Sequence, residues 1–559
     1  MAGRQAGALT FAADSYREFL LGFADYQLAY TADNKPINQP GRVEVGLPYL
    51  LAPPKVCLNG APPPCPEVIS AADVGTMSVN YRNEPLALRV RDPLTNTQAA
   101  GQAGDLSFAF SSGVKRADPL LNVQPNFYPA LTRGVQDGDP FTPLLRAYDR
   151  DRVQIRVLVG AHEEGHNFSI NGIRWLFEPS DPNSGWRNSQ MMGISEHFEA
   201  GVPVEPLILR ANAGDCIQVT LRTKLPPTVP DLDGFNTLPM IVDKFNANQI
   251  RPSSRVGLHA QLVAYDVTRS DGMNVGTNAV QTAPGDSSST GTSQASQLYT
   301  WYAGDISIDA TGRQTATPIE FGAVNLSSSE PIKHSSKGAI GALIIEPPGA
   351  TWVEDANSRA SATVTAPNAP AFREFVLLFQ NDLNLRFGDG SAVPNLAESE
   401  DPEDSGRKAL NYRTEPLWKR MGFAPDATLQ FTRTLDFTSA LANSKVGGDP
   451  VTPVFTARAG MPVRFRVLHP GGRARNNVFQ IHGHVWEEEP YLNGSRALGS
   501  NPLSEWMGSQ TGHGPSNHFD VLLKNGAGGK FRVTGDYLYR TQQSFQFDGG
   551  LWGIFRVTP

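Results

Sequence analysis

Val463-Arg-Phe-Arg-Val-Leu-His-Pro-Gly-Gly-Arg-Ala-Arg-Asn-Asn-Val-Phe-Gln-Ile-His-Gly-His-Val-Trp486 decides the fold. Val463, Phe465 and Val467 alternate with arginines, the period of a strand with one buried face. A Gly-rich loop and a second apolar run follow. The same arrangement occurs earlier as Val153-Gln-Ile-Arg-Val-Leu158, a loop, and Asn167-Phe-Ser-Ile-Asn-Gly-Ile-Arg-Trp175. A pattern that returns in one chain marks a structural unit used twice.

Working outward, further blocks recur in the same order. Tyr16-Arg-Glu-Phe-Leu-Leu-Gly-Phe23 matches Phe372-Arg-Glu-Phe-Val-Leu-Leu-Phe379, and Asn80-Tyr-Arg-Asn-Glu-Pro-Leu86 matches Asn411-Tyr-Arg-Thr-Glu-Pro-Leu417. Gly138-Asp-Pro-Phe-Thr-Pro143 matches Gly448-Asp-Pro-Val-Thr-Pro453, and Ser195-Glu-His-Phe-Glu199 matches Ser516-Asn-His-Phe-Asp520. Two copies of one domain, at 1–205 and 371–559, therefore flank a middle domain at 206–370. The middle segment shows strands near Cys216–Leu221, Arg255–Tyr265, Leu298–Tyr302 and Ile340–Glu346, with a flexible surface loop at Gly276–Gln297. Glu398–Asp404 reads as a solvated acidic turn. Short strands separated by Gly, Pro, Asn and Asp, without helical periodicity, predict an all-β chain of sandwiches or barrels.

Composition agrees. Of 559 residues, 53 are Gly and 44 are Pro, which suits many turns. A hydrophobic share of 40% with 18% charged residues describes a globular chain. No apolar run is long enough for a membrane-spanning helix. Fifty-five acids against 48 bases give a net charge of −7, which argues against bulk attraction to nucleic acid or anionic membranes.

Three cysteines cannot form a disulfide framework. Cys57 and Cys65 bracket a proline-rich turn and could close a small ring in an oxidising compartment; two free loop thiols are the other reading. Cys216 is expected to be a small buried hydrophobe on a strand. The N-terminus has no apolar core of signal-peptide length, so an extracytoplasmic location (secreted, periplasmic or cell surface) would need a leader outside this chain or another export route.

Several segments resemble the multicopper oxidases. They are Val256-Gly-Leu-His-Ala-Gln-Leu-Val-Ala-Tyr-Asp266, Trp301-Tyr-Ala303, Gly338–Ala350, Ile481-His-Gly-His-Val-Trp486, Gly535-Asp-Tyr-Leu-Tyr539 and Gly550-Leu-Trp-Gly-Ile-Phe-Arg-Val557. The likeness is greatest to the large bacterial members linked to manganese oxidation. It implies three tandem cupredoxin-like Greek-key β-sandwich domains, in agreement with the repeat.

The resemblance also implies copper: a blue centre with a Cys thiolate, two His and an axial Met, and a trinuclear cluster held by His-x-His pairs. Matched position by position, most of those ligands are missing. In the first pair His259 is kept, but its partner is Gln261. Where the second pair would stand, His334 is alone. The His-x-x-His-x-His cluster falls on Asn477, Gln480 and His482. The segment carrying the thiolate and axial Met falls on Arg540, Thr541, Gln542, Gln546 and Gly549. No cysteine follows Cys216, so no thiolate exists in the C-terminal copy. In the first copy, Ser169 and Asn171 stand where the second has Gln480 and His482. These positions read as vestigial copper sites, and no cofactor is expected.

What ligand chemistry remains is sparse. His482 and His484, with Glu487-Glu-Glu489 beside them and His469 upstream, could form a residual metal site if both imidazoles share a strand face; a buried structural histidine with solvated acids is the alternative. His259 is the other residual candidate. His162-Glu-Glu-Gly-His166 matches a zinc-hydrolase signature, which needs a helix, whereas strands are expected on either side. His513 and His518 flank a turn, and His197 repeats His518, which suggests structure. Trp175, Trp301, Trp418, Trp486 and Trp552 are expected in sandwich cores. The functional expectation is a non-catalytic multicopper-oxidase-like protein, a structural, binding or assembly subunit with a protein partner or as a homo-oligomer. The alternative is a copper-dependent oxidase, acting on metal or phenol, completed by a partner chain's ligands.

Overall fold

The computed structural model describes residues 205–223, 225–229, 251–285, 295–330, 333–356, 358–367, 369–380, 408–422, 437–471, 476–542 and 544–559. In the first third it describes 6–11, 14–27, 76–80, 82, 105–112, 139–140, 142–148, 151–159, 166–177 and 181–192. Cys57, Cys65, His162, His197 and Glu398–Asp404 lie outside the described residues. Strand dominates, and helix is confined to turns such as Lys333–Ser336, Leu417–Arg420 and Ser544–Asp548.

The C-terminal copy is a two-sheet sandwich. One sheet runs Thr351–Asp355, Ser358–Thr365, Phe372–Gln380, Val463–Leu468, His518–Leu522; the other runs Val454–Arg458, Trp552–Thr558, Gly535–Thr541, Phe479–Ile481. Phe372–Gln380 pairs parallel with Val463–Leu468, and Val454–Arg458 parallel with Trp552–Thr558, so each of these pairs is joined by a long crossover connection. Between the sheets, Phe375 stacks on Phe455 at 4.7 Å and meets the tilted Phe465 ring at 5.1 Å, and Phe479, Tyr539 and Phe555 complete the aromatic core. The first of these sheets reaches back across residue 371, because Ser358–Thr365 is its antiparallel neighbour.

In the middle segment, His259–Ala260, Gly322–Ser327, Ile340–Glu346 and Leu207–Asn212 form one sheet, and Cys216–Thr223 with Ala295–Tyr302 forms the other. Ile340–Glu346 is buried at every residue. Leu343 and Ile345 join Val324, Leu326, Tyr299 and Trp301 in the middle core. Ala342 and Ile344, with Ile208 and Ala323, instead join the core cluster of the C-terminal sandwich. A sheet covered on both faces needs an unbroken apolar run, which is why Ile-Gly-Ala-Leu-Ile-Ile does not alternate. Phe372–Gln380 is also buried throughout, with Phe375–Phe379 apolar and Glu374 paired with Arg466.

The first copy repeats the pairing. Asp14–Gln27 lies between Ala6–Phe11 and Thr76–Val79 and pairs parallel with Val153–Val159. Arg17 opposes Val153 as Arg373 opposes Val463, so the matched sequences share one register. Asn80 and Asn411 repeat a further device. Each has positive φ, 51° and 53°. Asn80 Oδ1 accepts from Gly22 N at 2.6 Å and its Nδ2 donates to Leu20 O at 2.8 Å; Asn411 does the same with Leu378 N and Val376 O, both at 2.8 Å.

Three local expectations are corrected. Cys216 is exposed: it shares the outward parity of Gln218 and Thr220, while Ile217, Val219 and Leu221 turn toward the core. Within Gly276–Gln297 the described residues are not a free excursion. Gly276 bridges to Ser111 of the first copy, and Gln281 and Thr282 are buried. The strand expected over Arg255–Tyr265 shrinks to His259–Ala260, because Leu262 takes φ 61° and breaks the ladder.

Candidate functional site

A cavity of about 1030 Å³ opens where all three segments meet. Ser169 and Asn171 line it from the first copy, His259, Gln261 and Glu330 from the middle, and Pro470 and Ser516 from the C-terminal copy. It gathers Ser169, Asn171, His259 and Gln261, positions that the sequence had singled out separately.

The buried polar side chains His259 and Gln261 there are tied to protein. His259 is buried, with Nδ1 2.9 Å from Asp271 O and 3.2 Å from Asp271 Oδ1, and Tyr265 Oη donates to the same carboxylate at 3.2 Å. Gln261 Oε1 accepts from Asn325 Nδ2 at 3.1 Å. That amide group also points at Ser516 O (2.9 Å) and Asn517 O (3.0 Å), so one asparagine joins the middle sheet to the C-terminal copy. His334 uses both ring nitrogens, Nδ1 with Ser328 Oγ and Nε2 with Ser253 O, each at 2.7 Å. Sequence reading missed Asp271 and Asn325. Nothing local marks them, since their roles depend on partners brought together by the sheet.

The C-terminal positions offer copper a poor set of donors. Thr541, at the thiolate position, accepts from Val478 N at 3.1 Å through Oγ1. Arg540 packs over the Phe547 ring at 4.5 Å and bonds to the exposed Gln542. Gln546 is buried on the short helix Ser544–Asp548, and Gly549 offers only its carbonyl, which accepts from Thr414. Asn477 is fully buried, paired through its backbone with His513, and Gln480 is half-buried. A permanent cation among these groups and no thiolate do not fit a copper centre.

The expectation that His482 and His484 share a strand face does not hold. The strand ends at Ile481, and Gly483 turns the chain at φ 70°. His482 is exposed and His484 buried. His484 Nε2 accepts from Gly528 N at 3.1 Å while Nδ1 faces His482 O at 3.1 Å; burial holds its pKa below the usual imidazole range. Glu487 is not solvated either: it accepts from Ser500 and Asn501. Among the described residues, no three His, Cys, Asp or Glu side chains group as a metal shell.

His469, His513 and His518 are fully buried, and burial pushes the last two down to about 3 and His469 well below its ordinary value. His469 and His513 lie 6.1 Å apart by ring centroids, and His513 packs edge-to-face on Phe379 at 4.9 Å. Two neutral imidazoles beside an amide fall short of a closed site of about four ligands. His166 opens the strand His166–Ser169, not the helix a zinc-hydrolase signature requires.

No family profile matches the chain, and no curated protein matches it. Among solved structures, the chain is similar to a multicopper oxidase (14% identity, TM-score 0.33, covering 67% of this chain and 82% of that one). It is similar also to a blue copper oxidase from Nitrosomonas europaea (13%, 0.31, 70% and 84%) and to a copper nitrite reductase from the same organism (13%, 0.32, 67% and 86%). The all-β, two-sheet architecture rests on the strand pairing itself.

Proposed function

We propose that this chain is a multicopper-oxidase-like protein whose copper sites are degenerate, and that it serves as a non-catalytic structural, binding or assembly subunit. The observation that carries the reading is the fate of the ligand positions. Gln261, Asn325 and the Ser516–Asn517 backbone form a direct polar link between two segments, at the place where a copper pair would otherwise stand. Thr541 closes a backbone hydrogen bond in place of a thiolate. Side chains engaged in this way hold the segments together without metal, and buried polar contacts that cross between segments favour one relative orientation. Function then resides on the surface and in assembly, and an extracytoplasmic setting is part of the same proposal. Among the described residues, no helix is long and apolar enough to cross a membrane.

The test is reconstitution with Cu(II) followed by visible spectroscopy and oxidase assays. No thiolate-to-copper band and no turnover of phenols or Mn(II) are expected. A stoichiometric blue centre, or oxidase activity, overturns the reading.

A further inference from the structure

The two sequence copies carry the same outward face, and among the described residues a second sheet covers it in the C-terminal copy alone. In the C-terminal copy, Glu374 and Val376 on one strand and Arg466 and Leu468 on the next point away from the aromatic core. The middle sheet lies against them through Ile208, Ala323, Ala342 and Ile344. Val376 and Leu468 are 0% exposed there. Arg466 finds Glu346 Oε2 at 2.7 Å, and Glu374 finds Arg210 Nε at 2.9 Å, both from the middle sheet. The cover thus supplies aliphatic contact, a carboxylate for the arginine and a guanidinium for the glutamate.

In the first copy, the equivalent positions in the same register are Glu18, Leu20, Arg156 and Leu158. Arg156 and Glu18 form an ion pair, as Arg466 and Glu374 do. Among the described residues, no sheet lies over them. Leu20 is 45% and Leu158 57% exposed, and the Arg156 side chain is 54% exposed. Two leucines thus flank a Glu–Arg pair on one open sheet face, an apolar patch with opposite charges at its centre.

We propose that this face is a self-association surface, occupied by the same face of a second copy of this chain. Charge complementarity selects that occupant. Under a two-fold rotation a patch meets itself, so each residue of a self-complementary pair meets the other. The second copy's Arg156 then reaches Glu18, its Glu18 reaches Arg156, and Leu20 and Leu158 are covered by their own counterparts. These are the contacts that the middle sheet gives the C-terminal copy, supplied by symmetry. The inference rests on the assembly-subunit reading and gives that assembly its first contact.

The test is equilibrium sedimentation or light scattering of the full chain over a wide concentration range, with three variants. Wild type is expected to be a concentration-dependent dimer. Leu158→Arg, at an exposed position that leaves the Glu18–Arg156 pair in place, is expected to weaken it by about tenfold or more. Glu18→Arg alone is expected to do the same, and Glu18→Arg with Arg156→Glu to restore association, with circular dichroism showing each variant folded. A chain that stays monomeric at all concentrations, a dimer indifferent to Leu158→Arg, or failure of the double swap to restore association overturns the proposal. Because copper spectra are recorded on the same wild-type sample, loss of this surface and loss of the non-catalytic reading are separate results.

Discussion

Arg466 Nε donates to Glu374 Oε2 at 2.8 Å, with both side chains fully withdrawn from solvent. Arg466 also reaches Asp520 at 2.9 Å and Glu346 at 2.7 Å, while Arg210 reaches Glu374 from the middle segment. Burying this many charges is costly, so the cluster is weak evidence of net stability. Removing one partner, however, strands the others. It defines how the middle sheet sits on the C-terminal sandwich.

Glu374→Gln is therefore expected to destabilise the chain by about 3 kcal/mol in urea unfolding at neutral pH, since it leaves Arg466 and Arg210 undercompensated. Glu346→Gln is expected to cost clearly less. Burial and the neighbouring Glu374 raise the Glu346 pKa well above its ordinary value, so its charged form contributes less. Equal costs for the two substitutions would contradict this ranking.

The pH dependence follows with opposite signs. The Glu374 carboxyl is held down to about 2: burial opposes the shift, but Arg466 and Arg210 outweigh it. A depressed acid contributes stability present above its unfolded pKa of about 4.5 and lost as pH falls toward 2. Glu346 has a raised folded pKa, so its contribution falls as pH rises above the unfolded value. Stability attributable to Glu374, measured as the difference between wild type and Glu374→Gln, is expected to persist at pH 5 and to shrink between pH 4 and 2.

Asn411→Ala is expected to cost about 2–3 kcal/mol, because it removes two buried hydrogen bonds and leaves a left-handed backbone without the residue type that tolerates it. Asn80→Ala, at the half-buried equivalent, is expected to cost less. Chemical unfolding of both variants checks the order.

Cys216 is exposed on its strand and is expected to label with a maleimide in the native state. Cys216→Ser is expected to change stability by no more than about 0.5 kcal/mol, as for surface substitutions away from special features. A thiol at this position that labels only on unfolding would place the strand in the opposite register.

His482→Ala and treatment with a strong chelator are each expected to leave the thermal midpoint unchanged, since His482 is exposed on a turn. His484→Ala is expected to lower it, because Gly528 N loses its buried acceptor. A chelator-induced fall in the midpoint would show a metal contributing to the fold.

The sequence by itself determined the repeat, the strand periodicity and the absence of any cysteine after Cys216. Local patterns encode these: Val463, Phe465 and Val467 alternate because one face is buried, and a cysteine absent after Cys216 is absent in any fold. It also placed Ile340–Glu346 as a strand to the residue. Only the tertiary structure decided what those elements face. Val376 and Leu20 occupy one position of the repeat, yet one is sealed under the middle sheet and the other is open, because burial depends on which sheet packs against the strand and not on the strand's own sequence. His482 and His484 look like a ligand pair until Gly483 turns between them, and Gln261 acquires its role from Asn325 only when the sheets assemble. Spacing along the chain fixes which way a side chain leaves its strand, whereas packing between strands fixes what it meets.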